Sequence, residues 1–171
     1  MKSENKSCVI LIGMPGVGKS TAGVVLAKRL GYRFIDSDLL IQEREGRLLS
    51  EIIDRDGIDG FLAIENSVNS QIRAERCVIA TGGSAVYGKN AMEHLGEIGT
   101  IVYLKQSYKN IEKRVGNLKG RGVAVRSGQT LKDLYNERCP LYEKYAQIIV
   151  DSEGLTLAET VEIIEARLRE Q

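Results

Sequence analysis

An α/β fold, a parallel sheet covered by helices on both faces, is predicted by three observations. Short apolar, β-branched runs recur along the 171 residues. Stretches of helical periodicity separate them, and the runs are apolar throughout instead of alternating with polar residues. Such strands are buried on both faces, and ligands bind such sheets at the strands' carboxyl ends.

The elements follow in order. CVILIG, closed by Gly13, reads as the first buried strand. Ser20 to Leu30 reads as a helix with Ala22, Val25, Leu26 and Leu30 on one face and Gly31 as its stop. YRFID is the second strand, and Asp38 to Ser70 is helical in pieces, broken near Gly46 and Gly57. RCVIATGG is a third strand running into glycines, and GTIVYL a fourth. Helices are expected over Tyr108 to about Leu118 and over Thr130 to Tyr145, the second carrying Pro140 near its end. QIIVD is the fifth strand, and LTLAETVEIIEARLRE closes the chain as an amphipathic helix. With no repeat, low-complexity tract or linker, residues 1–171 are expected to form one domain.

Composition narrows the function classes. A formal net charge of +1 offers nothing to nucleic acid or an anionic membrane. The apolar run before Gly13 is too short for a signal peptide or a membrane span, which predicts a cytoplasmic protein. Cys8, Cys77 and Cys139 are widely spaced and accompanied by a single histidine, His94. That pattern suits a reducing compartment, cysteines that pack in or near the core, and a surface helix position without chemistry for His94.

The chemistry sits at the strand ends. GMPGVGKS, residues 13–20, matches G-x-x-x-x-G-K-[ST] directly after a strand and directly before a helix. Glycines let the backbone wrap its N–H groups around phosphate oxygens, and the helix N-terminus adds partial positive charge. Gly13, Gly16, Val17, Gly18, Lys19, Ser20 and Thr21 are therefore the expected nucleotide-binding residues. Lys19 reaches the β and γ phosphates, and the Ser20 hydroxyl suits magnesium. FIDSD ends the neighbouring strand with two carboxylates facing the same cleft. Asp36 is a second candidate magnesium ligand. Asp38 either works in the cleft or is no more than a helix N-cap or first-turn charge.

Beyond the phosphate cradle, the ordered set GMPGVGKS, FIDSD, FLAIE, IATGGS, the Arg114 helix, the stretch around Arg121 and ERCPLYEKYA resembles the shikimate kinase family over nearly the whole chain. The resemblance implies a P-loop three-layer sandwich with a five-stranded parallel sheet in the order 2-3-1-4-5. It implies an acceptor-binding segment over about 37–75 and a lid over about 118–129, between the Arg114 helix and the Thr130 helix. It implies ATP with Mg2+, a kinase acting on an alcohol group of a small metabolite, shikimate first, within aromatic amino acid biosynthesis, and a monomer. Residue by residue, Lys19 and Ser20 would hold phosphate and magnesium, and Asp36 would reach magnesium through water. Asp38 would bind the acceptor hydroxyl and help deprotonate it, while Gly82 and Gly83 offer it N–H groups. Arg121 would sit over the transferring phosphoryl group, Arg138 would pair with the acceptor carboxylate, and Arg114 would lie along the adenine. These roles suit phosphoryl transfer, which is mostly positioning and charge stabilisation. A salt bridge with Asp133 is the alternative for Arg138, and a solvated helix charge the alternative for Arg114.

Three positions depart from the family pattern. The family's F-R-x-x-E reads Phe61-Leu62-Ala63-Ile64-Glu65, so leucine stands where an arginine grips the acceptor carboxylate. The triple glycine reads Gly82-Gly83-Ser84, and Arg121 is followed by Gly122-Val123-Ala124 instead of proline and leucines. Arg55, Arg73 and Arg126 are the cations in the sequence available to compensate. An acceptor other than shikimate, another polyol or hydroxy acid, stays open on this basis. So do a nucleoside-monophosphate kinase, which the Asp36–Asp38 pair disfavours by repulsion, and a non-catalytic nucleotide-binding regulator.

Overall fold

The computed structural model describes residues 6–116 and 120–171. Five parallel strands, β1 (Cys8–Ile12), β2 (Arg33–Asp36), β3 (Cys77–Ala80), β4 (Gly99–Lys105) and β5 (Ile148–Asp151), form one sheet in the order β2-β3-β1-β4-β5. β1 lies at the centre, Val9 opposite Val78 and Thr100, and is buried along its whole length. Among the described residues, seven helices flank the sheet: α1 (Lys19–Leu30), α2 (Ser37–Glu45), α3 (Leu49–Ser70), α4 (Lys89–Ile98), α5 (Tyr108–Arg114), α6 (Leu131–Tyr145) and α7 (Leu157–Arg169). α1 packs on β3 and α7, while α3 and α4 pack on each other and α4 also lies on β4. No helix among the described residues is long and apolar enough to cross a membrane.

Local sequence explains most boundaries. Gly31 and Gly46 take left-handed conformations that close α1 and α2, while Thr130 and Thr156 open α6 and α7 with reciprocal bonds to Asp133 and Glu159. Gly57 kinks α3 (φ 72°, ψ 178°) without ending it, because Ile52 before it and Phe61 after it are both buried against the same secondary cluster.

Two elements differ from expectation. α5 stops at Arg114, where Val115 leaves helical geometry; of the expected continuation, Leu118 lies outside the described residues. α4 and the preceding single 3₁₀ turn, Ala85–Tyr87, have no counterpart in the sequence reading. Gly88 and Gly96 interrupt the pattern there, and the packing of Ala91, Met92 and Leu95 against the core forms the helix. His94, on this helix, places Nε2 2.7 Å from the Ile72 carbonyl oxygen. Of the lid expected over 118–129, residues 118 and 119 lie outside the described residues, and 120–129 has no regular structure. Cys8 and Cys77 are buried and Cys139 half-buried, all three as free thiols.

Gly99 starts β4 where the chain passes very close to β1. A Cβ there would lie 2.6 Å from the Cys8 carbonyl oxygen and 2.8 Å from its carbon, both backbone atoms of the paired strand. Gly99→Ala is therefore expected to destabilise the fold by about 1–3 kcal/mol, read as a lower denaturant midpoint.

Candidate active site

β1 delivers the chain to the loop Gly13–Gly18, in which Gly13, Gly16 and Gly18 have φ of 149°, 79° and 98°. These values are strained for any residue with a Cβ and turn backbone N–H groups inward. α1 begins at Lys19 with no side-chain cap, so its first N–H groups remain available to an anion. Lys19 is only 7% exposed and donates to the carbonyl oxygens of Gly13 (2.7 Å) and Met14 (2.8 Å). Burial pushes its pKa down to about 8, against the pull of Asp38.

β2 brings the aspartate pair beside this loop. The Ser20 hydroxyl donates to Asp36 Oδ2 at 2.8 Å, and the backbone N–H of Asp38 donates to Asp36 Oδ1 at 3.0 Å. Asp36, not Asp38, is thus the N-cap of α2. Asp38 stands in the first turn of the helix, pushed up to about 6 by burial and by Asp36, with Lys19 opposing.

Asp38 faces a cavity of about 340 Å³ that Gly16, Lys19, Ser20, Gly82, Gly83 and Arg138 also line. β3 supplies the Gly82–Gly83–Ser84 edge, and α6 supplies Arg138. That guanidinium is 1% exposed, donates to the Ala124 carbonyl oxygen (2.8 Å) and the Tyr87 hydroxyl (3.4 Å), and lies 5.4 Å from the Tyr87 ring centre. Asp133 is no partner of Arg138; it caps α6 through Thr130. Arg121 lines the same cavity, its Nη1 3.8 Å from where a Gly16 Cβ would be, so it stands over the glycine loop. A second cavity of about 210 Å³ lies on the other side of the loop, lined by Val17, Gly18, Thr21, Gln106, Arg114 and Ser152. The loop therefore joins two compartments, with Arg114 in one and Asp38, Arg121 and Arg138 in the other.

Leu62 does not line the main cavity. It faces a neighbouring void of about 40 Å³ with Tyr87, Ala124, Arg126 and Glu137. Among the described residues, the cations lining the main cavity are Lys19, Arg121 and Arg138. Arg55 instead pairs with Glu45 (3.0 Å) and Asp56 (2.6 Å), Arg126 pairs with Asp59 (2.7 Å), and Arg73 is exposed.

The sequence reading missed Glu65 as a member of this site. It is 2% exposed, lines the cavity, and accepts from the Ser84 hydroxyl at 2.6 Å on Oε1. Its position four residues after Phe61 and three before Val68, on the buried face of α3, was the available signal. Burial raises Glu65 to about 7, with Asp38 adding to the effect and Ser84, Arg138 and Lys19 opposing. In the unfolded chain it releases its proton near the ordinary glutamate value of about 4.3. Between those values the folded state binds more protons, so this group's stabilisation is full below the lower value and is lost as pH rises to about 7. Glu65→Gln is expected to remove that loss: the melting temperature of the variant relative to the parent should climb from pH 5 to pH 8.

The shikimate kinase family model matches residues 15–169. The chain belongs to the shikimate kinase family. It is 34% identical over 167 residues to the shikimate kinase of Thermobifida fusca, covering 96% of each chain. The structure of the shikimate kinase from Acinetobacter baumannii in complex with shikimate superposes with a TM-score of 0.87 at 30% identity, covering 98% of this chain and 96% of that one. For the shikimate kinase from Aquifex aeolicus the TM-score is 0.81 at 30% identity, over 95% and 96%. The strand order implied by the family is the order observed.

Proposed function

We propose that this chain is an ATP-dependent kinase that transfers the γ-phosphate to a hydroxyl of shikimate, acting as a single-domain cytoplasmic monomer in aromatic amino acid biosynthesis. The observation that carries this reading is the junction of two cavities at one glycine loop, with a carboxylate, Asp38, and a buried guanidinium, Arg138, both lining the larger one.

ATP would run from Arg114, Val17 and Thr21 to Lys19, and Lys19 would leave the carbonyls of Gly13 and Met14 for the phosphate oxygens. Ser20 and Asp36 already share a 2.8 Å contact between hard oxygen donors, which fits magnesium held between them and the nucleotide. Magnesium, when bound, would neutralise charge on the phosphates. Asp38 would accept the proton of the acceptor hydroxyl, and Gly82 and Gly83 would hold the acceptor by their N–H groups. Arg138 would bind the acceptor carboxylate, and Arg121 would stabilise the transferring phosphoryl group. Residues 118–129 would act as the lid that excludes water. A nucleoside-monophosphate acceptor is poorly served by a cavity whose lining includes the two carboxylates Asp38 and Glu65, which repel a phosphate.

Turnover of a panel containing shikimate, quinate, sugars, hydroxy amino acids and nucleoside monophosphates, followed by ADP release, tests the reading. Selective turnover of shikimate is expected; tight ATP binding with no acceptor-stimulated turnover would overturn it in favour of a regulator. Leu62→Arg is expected to lower the KM for shikimate by about tenfold, by adding a second guanidinium toward the Arg138 end. An unchanged KM would show that Arg138 alone satisfies the carboxylate.

A further inference from the structure

We propose that Tyr87, itself oriented by Glu137, is a positioning residue for the acceptor: it sets the roll of the Arg138 guanidinium so that one nitrogen is turned to the Gly83 edge of the cavity. The proposal deepens the kinase reading above and rests on it.

Each nitrogen of the Arg138 fork has its own direction. Nη2 donates to the Ala124 carbonyl oxygen at 2.8 Å, and Nε donates to the Tyr87 hydroxyl at 3.4 Å. Nη1 lies 3.1 Å from the point that a Gly83 Cβ would occupy, on the edge that lines the acceptor cavity. With two nitrogens of a planar group held, the third keeps its aim before any ligand arrives. The guanidinium carbon also lies over the Tyr87 ring, 5.4 Å from its centre.

Glu137 decides which way the Tyr87 hydroxyl points. The hydroxyl has one proton and donates it to Glu137 Oε1, so its lone pairs are left to Arg138. Burial and Glu137 push Tyr87 above its ordinary value, against the pull of Arg138, which keeps the proton on the oxygen. Gln129 donates to the other oxygen of Glu137 at 3.2 Å and holds the carboxylate in place. Glu137 and Arg138 are consecutive on α6, one exposed and one buried, so the acid acts on the guanidinium through Tyr87. A carboxylate bonded to the guanidinium itself would compete with that of the acceptor, whereas a neutral phenol orients the cation and leaves its charge to the ligand.

The test is a double-mutant cycle between Tyr87 and Arg138, read in steady-state kinetics with shikimate. Tyr87→Phe keeps the ring and loses the hydroxyl, and should raise the KM for shikimate about fivefold with kcat within about twofold of the parent. Tyr87→Leu, which loses the ring face as well, should raise it about tenfold. In an Arg138→Met background both substitutions should change that KM by less than about twofold, because the group they position is gone. Glu137→Ala should add nothing to Tyr87→Phe, since it acts on the hydroxyl alone; an additive increase would overturn the part given to Glu137. The KM for ATP reports that each variant is folded. No increase for either Tyr87 variant, or the same increase with and without Arg138, would overturn the role given to Tyr87 while leaving the kinase reading intact. If the parent itself fails to turn over shikimate, the kinase reading falls and this proposal falls with it.

Discussion

Replacing Asp38 by asparagine is expected to lower kcat by about 10²–10⁴-fold, the range for loss of a positioned general base, with the KM for ATP nearly unchanged. Asparagine keeps the shape and the first-turn position but cannot take a proton. The obvious competing explanation, loss of a helix cap, does not apply: the cap of α2 is Asp36, which accepts from the Asp38 N–H, a backbone donor that the substitution leaves in place. Asp38 also lines the acceptor cavity and electrostatically opposes the downward shift of Lys19. A variant that turned over normally would reduce Asp38 to a solvated helix charge. Steady-state kinetics with shikimate and ATP varied in turn, alongside a nucleotide-binding titration, separates the outcomes.

Arg138→Met is expected to raise the KM for shikimate by about 30-fold or more, the low end for removing one partner of a buried charge pair. The guanidinium is anchored before any ligand arrives, by the Ala124 carbonyl oxygen at 2.8 Å and by the face and hydroxyl of Tyr87. Little ordering remains to be done on binding, and its remaining N–H groups are directed by that anchoring. Arg138→Lys should rescue poorly, since an ammonium lacks the planar fork that spans the Ala124 carbonyl and a ligand carboxylate at once. Equal KM values in parent and Arg138→Met would remove Arg138 from acceptor binding. Retained ATP affinity in both variants serves as the folding control, because the P-loop packs against the same core.

The residues whose placement was legible in the sequence are those whose neighbours are local or whose motif is continuous. GMPGVGKS lies in the structure where a strand gives way to a helix, and its glycines adopt backbone angles that strain other residues. FIDSD was legible as a strand end with two carboxylates, but the division between them was not. Both aspartates are good helix openers, and only the folded chain brings Asp36 to both Ser20 and the Asp38 N–H. α4 was illegible for a different reason: two glycines weaken its pattern, and burial of Met92 and Leu95 compensates. Leu62 was legible as a departure, but not its consequence. The structure places it beside Arg126 and Glu137 and off the main cavity, so it leaves that end to Arg138 and does not fill it with apolar surface.

Sequence by itself determined the parallel α/β architecture, the phosphate-binding loop and the carboxylate pair beside it, because strand periodicity, glycine conformation and motif spacing are properties of short stretches of chain. Only the tertiary structure decided which charges share the acceptor cavity. Glu65 meets Ser84 from 19 residues away, and Arg138 is fixed by Ala124 and by Tyr87, which is 51 residues distant. Protonation was decided there too, since the burial that raises Glu65 and Asp38 and lowers Lys19 exists only after α1, α2, α3 and β3 have packed together.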